Sequence, residues 1–305
     1  MSDGSVSVLL DRLPRARHGA VQVRRNNIGS FARLLLVPGD PGDVVVGPQL
    51  QARHRGPRVR RGIDQLLHAG LADLDGDGTI ELVTTQKGGL VAADVFHQSG
   101  PDLETLAENQ PDPERRLQAR DLFQRTLEFV VLCGATHMTA LPGIHWPEEP
   151  YEASLARAAE EHAWRVEQAA KSNVVYAVEP HMWSIVKTPE QTARLLDMTP
   201  GLTLSLDVAH FTAQDIPDEQ VLPLLQHTSH IHARCAAPGL VQCSLANNTI
   251  DWEGVVRASA RAGYSGYFAL EYVVKEHESV ADVDNISETI RLRDLLRNCE
   301  EYVDG

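Results

Sequence analysis

The chain has 305 residues, of which 43% are apolar and 23% are charged, and it carries a formal net charge of −14. This length fits one large α/β barrel or two ordinary domains. No apolar run approaches the roughly 20 residues of a membrane span, and an acidic composition disfavours nucleic-acid binding, which requires clustered positive charge.

The start of the chain lacks the pattern of a secretory signal, in which basic residues precede an apolar run and a small-residue cleavage site. The four cysteines are widely spaced and form no CxxC pair: Cys133, Cys235, Cys243 and Cys299. Free thiols are typical of a reducing compartment. We therefore expect a cytoplasmic protein without a membrane partner.

Residues 1–61 differ in charge from the rest of the chain. They hold eleven arginines and four aspartates, a net charge of +7, so the remainder carries −21. A basic segment could bind an anion or RNA, but a solvated extension docked on the acidic remainder explains it equally and is favoured. We assign residues 1–85 to an atypical arginine-rich segment, which could form the first barrel strands, and residues 86–300 to the main barrel domain.

An aspartate-rich loop follows within this segment. Asp73, Asp75, Asp77 and Glu81 alternate around a glycine, and acids in this pattern can converge on one Ca²⁺ ion. Position twelve of the loop is Thr84, so the glutamate of an EF-hand is missing. The alternative is a solvated turn that leads into a strand, which we favour.

From about residue 90 the sequence alternates between short apolar runs and helical patterns. The predicted strands are 90–95, 136–141, 174–178, 202–207, 229–232 and 267–271. The predicted helices begin at 112, 151, 188, 218, 251 and 283, and Asp112 and Thr188 each precede a proline in the manner of helix N-caps.

This alternation predicts parallel βα units, which can form an open doubly wound sheet or a closed barrel. A barrel needs two or three further strands before residue 90. The candidates are residues 21–23, 44–46 and 80–83.

Four ionisable residues fall at the C-terminal ends of four predicted strands: Glu179, Asp207, His232 and Glu271. Each alone could be a helix cap, a salt-bridge partner or a core residue. Strands of parallel sheets are buried, so a carboxylate there is costly unless it is paired or binds a metal. In a closed barrel these ends meet at one mouth, so together they predict a metal site. Three carboxylates and one imidazole suit Mn²⁺, with Mg²⁺ or Co²⁺ as alternatives.

At these residues the chain resembles the xylose isomerase-like TIM barrel superfamily of sugar isomerases and epimerases. The resemblance covers about residues 90–300 and is carried by VEPH at 178–181, LDVAH at 206–210, HIHAR at 230–234, IDW at 250–252 and ALEY at 269–272. It implies a (β/α)8 barrel and one divalent cation bound by Glu179, Asp207, His232 and Glu271. It also implies that His210 contacts a substrate oxygen.

The chemistry that such a site suits follows from its groups. A metal that holds two vicinal oxygens acidifies the neighbouring C–H, so one carboxylate can remove this proton and leave a metal-bound enediolate. Glu179 and Glu271 are the candidates for the acid–base pair. Candidate substrate-binding residues are Arg234, His181, His145 and Trp183, of which Arg234 could instead pair with an acid.

The chain departs from the pattern of ketose 3-epimerases at two positions. The second glutamate of these enzymes is replaced by Ile185, and their arginine after the ligand histidine is replaced by Pro238.

We expect an isomerase or epimerase that acts on a small sugar or polyol-derived ketone and could form a homo-oligomer. Two alternatives remain: a lyase on the same site, such as an inosose-type dehydratase or a C-glycoside-cleaving enzyme, and a non-catalytic barrel subunit. Nucleic-acid binding through the arginine-rich start is a third and disfavoured alternative.

Overall fold

The computed structural model describes residues 92–99, 102–132, 134–273 and 278–299 in full. It also describes the backbone of residues 90, 91 and 300 and of five strands between residues 20 and 84: β1 Ala20–Arg24, β2 Phe31–Pro38, β3 Val45–Val46, β4 Ala69–Ala72 and β5 Thr79–Thr84. The aspartates of the candidate calcium loop, Asp73, Asp75 and Asp77, lie outside the described residues. Of Glu81 only the backbone is described, within β5.

Six further strands form the parallel part of the main sheet: β6 Leu90–Gln98, β7 His137–Ala140, β8 Val175–Val178, β9 Thr203–Asp207, β10 Thr228–Ala233 and β11 Phe268–Leu270. They pair in chain order, so each strand is a neighbour of the next. The helices between and after them are α1 Pro113–Leu132, α2 Tyr151–Lys171, α3 Pro189–Met198, α4 Ala209–Thr212, α5 Asp218–Val221, α6 Trp252–Arg261 and α7 Asn285–Glu300. The predicted alternation of strands and helices is confirmed.

The sheet is completed to eight strands by β2 and β3. β3 runs parallel to β11, whereas β2 runs antiparallel to β6. The result is an α/β barrel of the TIM type whose first wall departs from regular βα repetition. Of the early candidates, residues 44–46 match β3 in this sheet. Residues 21–23 and 80–83 lie instead in β1 and β5, which form a separate three-stranded antiparallel sheet with β4.

Local signals explain most helix boundaries. Thr188 accepts a hydrogen bond from the backbone N–H of Gln191 and caps α3, and Asp112 Oδ1 accepts from the N–H of Glu114 at the start of α1. The prediction of one α-helix from residue 218 is wrong. The segment is divided into α5 and a 3₁₀ turn at Leu222–His227, because Pro223 cannot donate the backbone hydrogen bond that would continue the α-helix.

The core lies between the strands and the helices that cover them. All four residues of β7 are buried, as are the last four of β9 and of β10. The side chains of each strand alternate between the barrel interior and the surrounding helices, so both faces of the strand are buried. Side chains at the C-terminal ends of these strands therefore lie in largely buried positions at the barrel mouth.

The loop after β7 is fixed by a close contact. The Asn109 side chain donates to the carbonyl of Ile144 at 2.7 Å and accepts from its N–H at 3.1 Å. Gly143 lies against this amide with φ +89°, and a Cβ atom at this position would lie 2.5 Å from Asn109 Oδ1. Only glycine combines this backbone conformation with the close approach.

We expect Gly143→Ala to lower the free energy of unfolding by about 3 kcal/mol. The variant places an alanine in the left-handed backbone region, its Cβ clashes with Asn109, and the Asn109 hydrogen bonds are lost. Gly239→Ala is the matched control, since Gly239 has φ +79° and open space around its Cβ position. Its cost should be about 1 kcal/mol. Urea unfolding measures both, and equal losses would contradict the role of the Asn109 contact.

Candidate metal and substrate site

Three of the four predicted ligands converge at the barrel mouth. Glu179 follows β8 directly, His232 is the penultimate residue of β10, and Glu271 follows β11 directly. Candidate ligand atoms of these three side chains all lie within 4.8 Å of one another. His232 Nδ1 lies 2.6 Å from Glu179 Oε1 and 3.3 Å from Glu271 Oε2. The two carboxylates therefore meet at one imidazole nitrogen.

The charge balance of this cluster depends on cationic partners. Burial disfavours the imidazolium of His232, but the nearby Glu271 and Glu179 carboxylates outweigh it and raise the pKa of His232 to about 10. The protonated ring thus compensates the two acids in the metal-free protein. Buried carboxylates that converge in this way suit a hard divalent cation, which would supply the same compensation. Glu179, His232 and Glu271 fit such an ion.

Asp207, the fourth predicted ligand, has a different immediate partner. It is fully buried at the end of β9, where its Oδ1 accepts from the N–H of Ala209. Its Oδ2 accepts from Arg234 Nε at 2.9 Å and from a terminal nitrogen of the same guanidinium. Burial raises the pKa of Asp207 to about 6 although the Arg234 charge lowers it. The role of Asp207 as a ligand stays a prediction.

Arg234 connects Asp207 with two other site residues. Its terminal nitrogen donates to His210 Nε2 at 3.0 Å and lies 3.8 Å from Glu271 Oε2. The guanidinium is buried and remains charged, because Asp207 and Glu271 raise its pKa against the effect of burial. The predicted pairing of Arg234 with an acid is present, and because Arg234 also lines the cavity, its contact with a substrate stays a prediction.

His210 and His181 form the next layer of the site. Their ring centroids are 3.9 Å apart, and both offer a nitrogen within 4.8 Å of a Glu179 oxygen. Trp183 packs against the His181 ring at 4.9 Å and is 43% exposed, so it lies at the rim. The structure thus brings the predicted residues His210, Arg234, His181 and Trp183 together with Glu179 and Glu271 around one open cavity.

The structure does not bring His145 to this cavity. The residue is exposed, its Nε2 donates to the carbonyl of Glu149, and its ring packs on Tyr151. His145 lies in the loop between β7 and α2, and its contacts are with Glu149 and Tyr151 near the start of α2.

A second polar cluster lies deeper in the barrel, and the sequence analysis did not identify it. Asp94 Oδ1 accepts from His137 at 2.6 Å and from Thr139 at 3.0 Å. Hydrogen bonding and the charge of His137 outweigh burial and lower the pKa of Asp94 to about 2, whereas burial lowers that of His230 to about 3. Asp94, His230 and His232 also lie within 4.8 Å of one another. The sequence signal that could have revealed this cluster is Asp94, an acid within an apolar strand, because a buried carboxylate is costly unless it is paired.

The fold and the cluster of Glu179, His232 and Glu271 define a class of protein. It is a TIM-type barrel with carboxylates and histidines at the carboxyl ends of its strands. A family model described as "xylose isomerase-like TIM barrel" matches residues 89–299, which is more than half of the chain. The chain belongs to this family. No curated protein matches it.

Solved structures with the same fold share little sequence with the chain. L-ribulose 3-epimerase is 16% identical with a TM-score of 0.54, over 67% of this chain and 75% of that chain. A 3-keto-D-glucoside 4-epimerase from E. coli is 14% identical with a TM-score of 0.53, over 71% and 81% of the two chains. A xylose isomerase-like TIM barrel protein from Mycobacterium smegmatis, in complex with magnesium, is 14% identical with a TM-score of 0.52, over 70% and 76%. At these identities the likeness establishes the fold.

The described residues bear on two earlier expectations, on the cysteines and on membrane spans. Among the described cysteines, Cys235, Cys243 and Cys299 are buried thiols that form no disulfide, and Cys133 lies outside the described residues. Among the described helices, none combines the length and hydropathy that a membrane span requires.

The buried pair of Arg234 and Asp207 yields a prediction. We expect Arg234→Met to lower the free energy of unfolding by about 3 kcal/mol or more, because it leaves a carboxylate buried without its cation. The matched control is Arg257→Met, which breaks an ion pair with Glu253 on the exposed face of α6. This loss should stay below about 1 kcal/mol. Urea unfolding of the metal-free proteins makes the comparison, and similar losses would contradict a stabilising role for the buried pair.

Proposed function

We propose that the protein is a divalent-metal-dependent isomerase or epimerase of a small sugar or polyol-derived ketone, with Mn²⁺ as the expected ion. The observation that carries this proposal is the convergence of Glu179 and Glu271 on His232 Nδ1, at 2.6 and 3.3 Å, inside the barrel mouth. Membership of the xylose isomerase-like family supports it. So do the structural neighbours, which include epimerases of ribulose and of a keto-glucoside.

The proposed ligands are Glu179, His232 and Glu271, with Asp207 as the fourth. With ionised carboxylates and Arg234 protonated, these residues carry −3 + 1 = −2 when the imidazole is neutral, so one divalent cation balances the site. A bound cation of this kind polarises a substrate carbonyl and acidifies the adjacent C–H. Arg234 then serves to hold Asp207 in place and to limit the negative charge that the substrate meets.

The proton transfers are assigned to the two glutamates. One carboxylate removes the proton from the carbon next to the carbonyl, and the other returns a proton to the resulting enediolate. Return to the opposite face of the same carbon gives an epimer, and return to the neighbouring carbon moves the carbonyl. His210 lies beside Glu179 and Arg234, where it is proposed to contact a substrate hydroxyl. His181 and Trp183 are proposed to line the substrate-binding site at its rim.

We expect the protein to bind about one Mn²⁺ per chain and Glu271→Gln to weaken this binding at least tenfold, because the variant loses one ligand charge. Isothermal titration calorimetry measures the affinity and elemental analysis the stoichiometry. Glu253→Gln, which removes an exposed acid on α6, is the control and should leave the affinity unchanged. Unaltered Mn²⁺ binding by Glu271→Gln would remove this residue from the ligand set.

The reaction can be tested with a panel of ketoses and keto-inositols in D₂O. We expect deuterium to enter the carbon next to the carbonyl while the carbon skeleton and its oxygens stay intact, and we expect Glu179→Gln and Glu271→Gln to reduce exchange at least 100-fold. Mass spectrometry and NMR detect both. Loss of water or of an aglycone would instead favour the lyase alternative. Absence of exchange and of turnover across the panel, in a protein that binds Mn²⁺, would contradict both enzyme proposals.

A further inference from the structure

The strand end that carries Glu271 receives little support from the sheet itself. β11 has three residues, which makes it the shortest of the six parallel strands, and Glu271 follows it directly. The Glu271 side chain is 11% exposed, against 5% or less for the other three proposed ligands. The position of its carboxylate, 3.3 Å from His232 Nδ1, therefore depends strongly on the backbone that carries it.

Hydrogen bonds tie this backbone to the end of β10. The N–H of Glu271 donates to the carbonyl of Ala233 at 3.0 Å, which continues the pairing of β11 with β10. The hydroxyl of Tyr272 accepts from the N–H of Cys235 at 3.2 Å. The segment that contains the proposed ligand is thus anchored at two successive residues.

The next residue, Val273, is held by a side chain at two points. Gln242 is fully buried, and its Nε2 donates to the carbonyl of Val273 at 2.8 Å while its Oε1 accepts from the N–H of Val273 at 2.7 Å. At neutral pH only an amide side chain is uncharged and offers a donor and an acceptor side by side. The Gln242 amide therefore takes the place of a neighbouring strand and extends the anchoring of β11 past its last residue.

The backbone of Gln242 is itself fixed. The N–H of Ala281 donates to the carbonyl of Gln242 at 3.0 Å, and the N–H of the adjacent Cys243 donates to the carbonyl of Cys235 at 2.8 Å. The amide is therefore presented to Val273 from a framework that is connected both to the segment after β11 and to the end of β10.

We propose that Gln242 is a positioning residue, whose two hydrogen bonds to Val273 hold the Glu271 carboxylate in the ligand cluster. The described residues that line the cavity do not include Gln242, so it acts through the backbone. Loss of an outer partner of a metal ligand typically lowers metal affinity about 10–100-fold. The inference rests on the proposed function for the bound ion, but the carboxylate position in the metal-free protein is independent of it.

The first test is isothermal titration calorimetry of the full chain with Mn²⁺. Gln242→Met keeps the length of the side chain and removes both hydrogen bonds, and we expect it to raise the Kd for Mn²⁺ about tenfold or more. Gln110→Met is the matched control. Gln110 is also buried, and its amide donates to the backbone carbonyls of Glu104 and Thr105 in the loop before α1. This variant should leave the Kd unchanged.

Gln242→Glu is the second variant and serves if Gln242→Met does not fold. Its ionised carboxylate cannot donate to the carbonyl of Val273, whereas the protonated carboxyl can. Burial raises the pKa of a carboxyl, so we expect the ratio of its Kd to that of the wild type to fall as the pH is lowered from about 8.5 to about 6.5. A role confined to the stability of the fold would not produce this change in the ratio.

Crystal structures of the metal-free proteins separate this inference from the proposed function. In the Gln242 variants we expect Glu271 Oε2 to move away from His232 Nδ1 by about 1 Å, a displacement that is large for a preorganised site. A displaced carboxylate in a protein whose wild type binds no Mn²⁺ would overturn the proposed function alone. An unchanged carboxylate position, a Kd equal to that of the wild type, or equal weakening by Gln110→Met would overturn the inference.

Discussion

The burial of negative charge at one end of the barrel is the constraint on which the rest of the structure depends. Glu179, Asp207 and Glu271 lie at the ends of three different strands. Glu179 and Asp207 are buried, and the side chain of Glu271 is 11% exposed. Such charges are stable only beside cations. The protein supplies two, the imidazolium of His232 and the guanidinium of Arg234, and a divalent ion can take the place of the first.

Arg234 adds a buried positive charge to the site, which the proposed ligands alone do not provide. It holds Asp207 at its buried end, approaches Glu271 and donates to His210, so one side chain links an acid of β9 with groups from two other parts of the mouth. The cluster is therefore less anionic than three carboxylates imply.

Much of the fold could be predicted from local signals. The caps at Asp112 and Thr188 and the apolar strand patterns located the strands from β6 onward and the helices α1, α2, α3, α6 and α7 to within a few residues. They did not predict α4 or the division of the helix at residue 218. The strand-end positions of Glu179, His232 and Glu271 predicted that they meet, because the carboxyl ends of parallel strands share one edge. The antiparallel pairing of β2 with β6 was not predictable, since no local pattern in residues 31–38 encodes the direction of a partner distant in sequence.

The sequence by itself determined the alternation of strands and helices, the family resemblance and the identity of the ionisable groups at the mouth. Only the tertiary structure decided their partners: Arg234 on Asp207 and His210, His145 on Tyr151 outside the cavity, and Gln242 on the backbone of Val273. It also revealed Asp94 beside His137. The physical reason is that spacing along the chain fixes which face or strand end a residue occupies, whereas pairing and cavity shape depend on loops that approach one another only in the folded barrel.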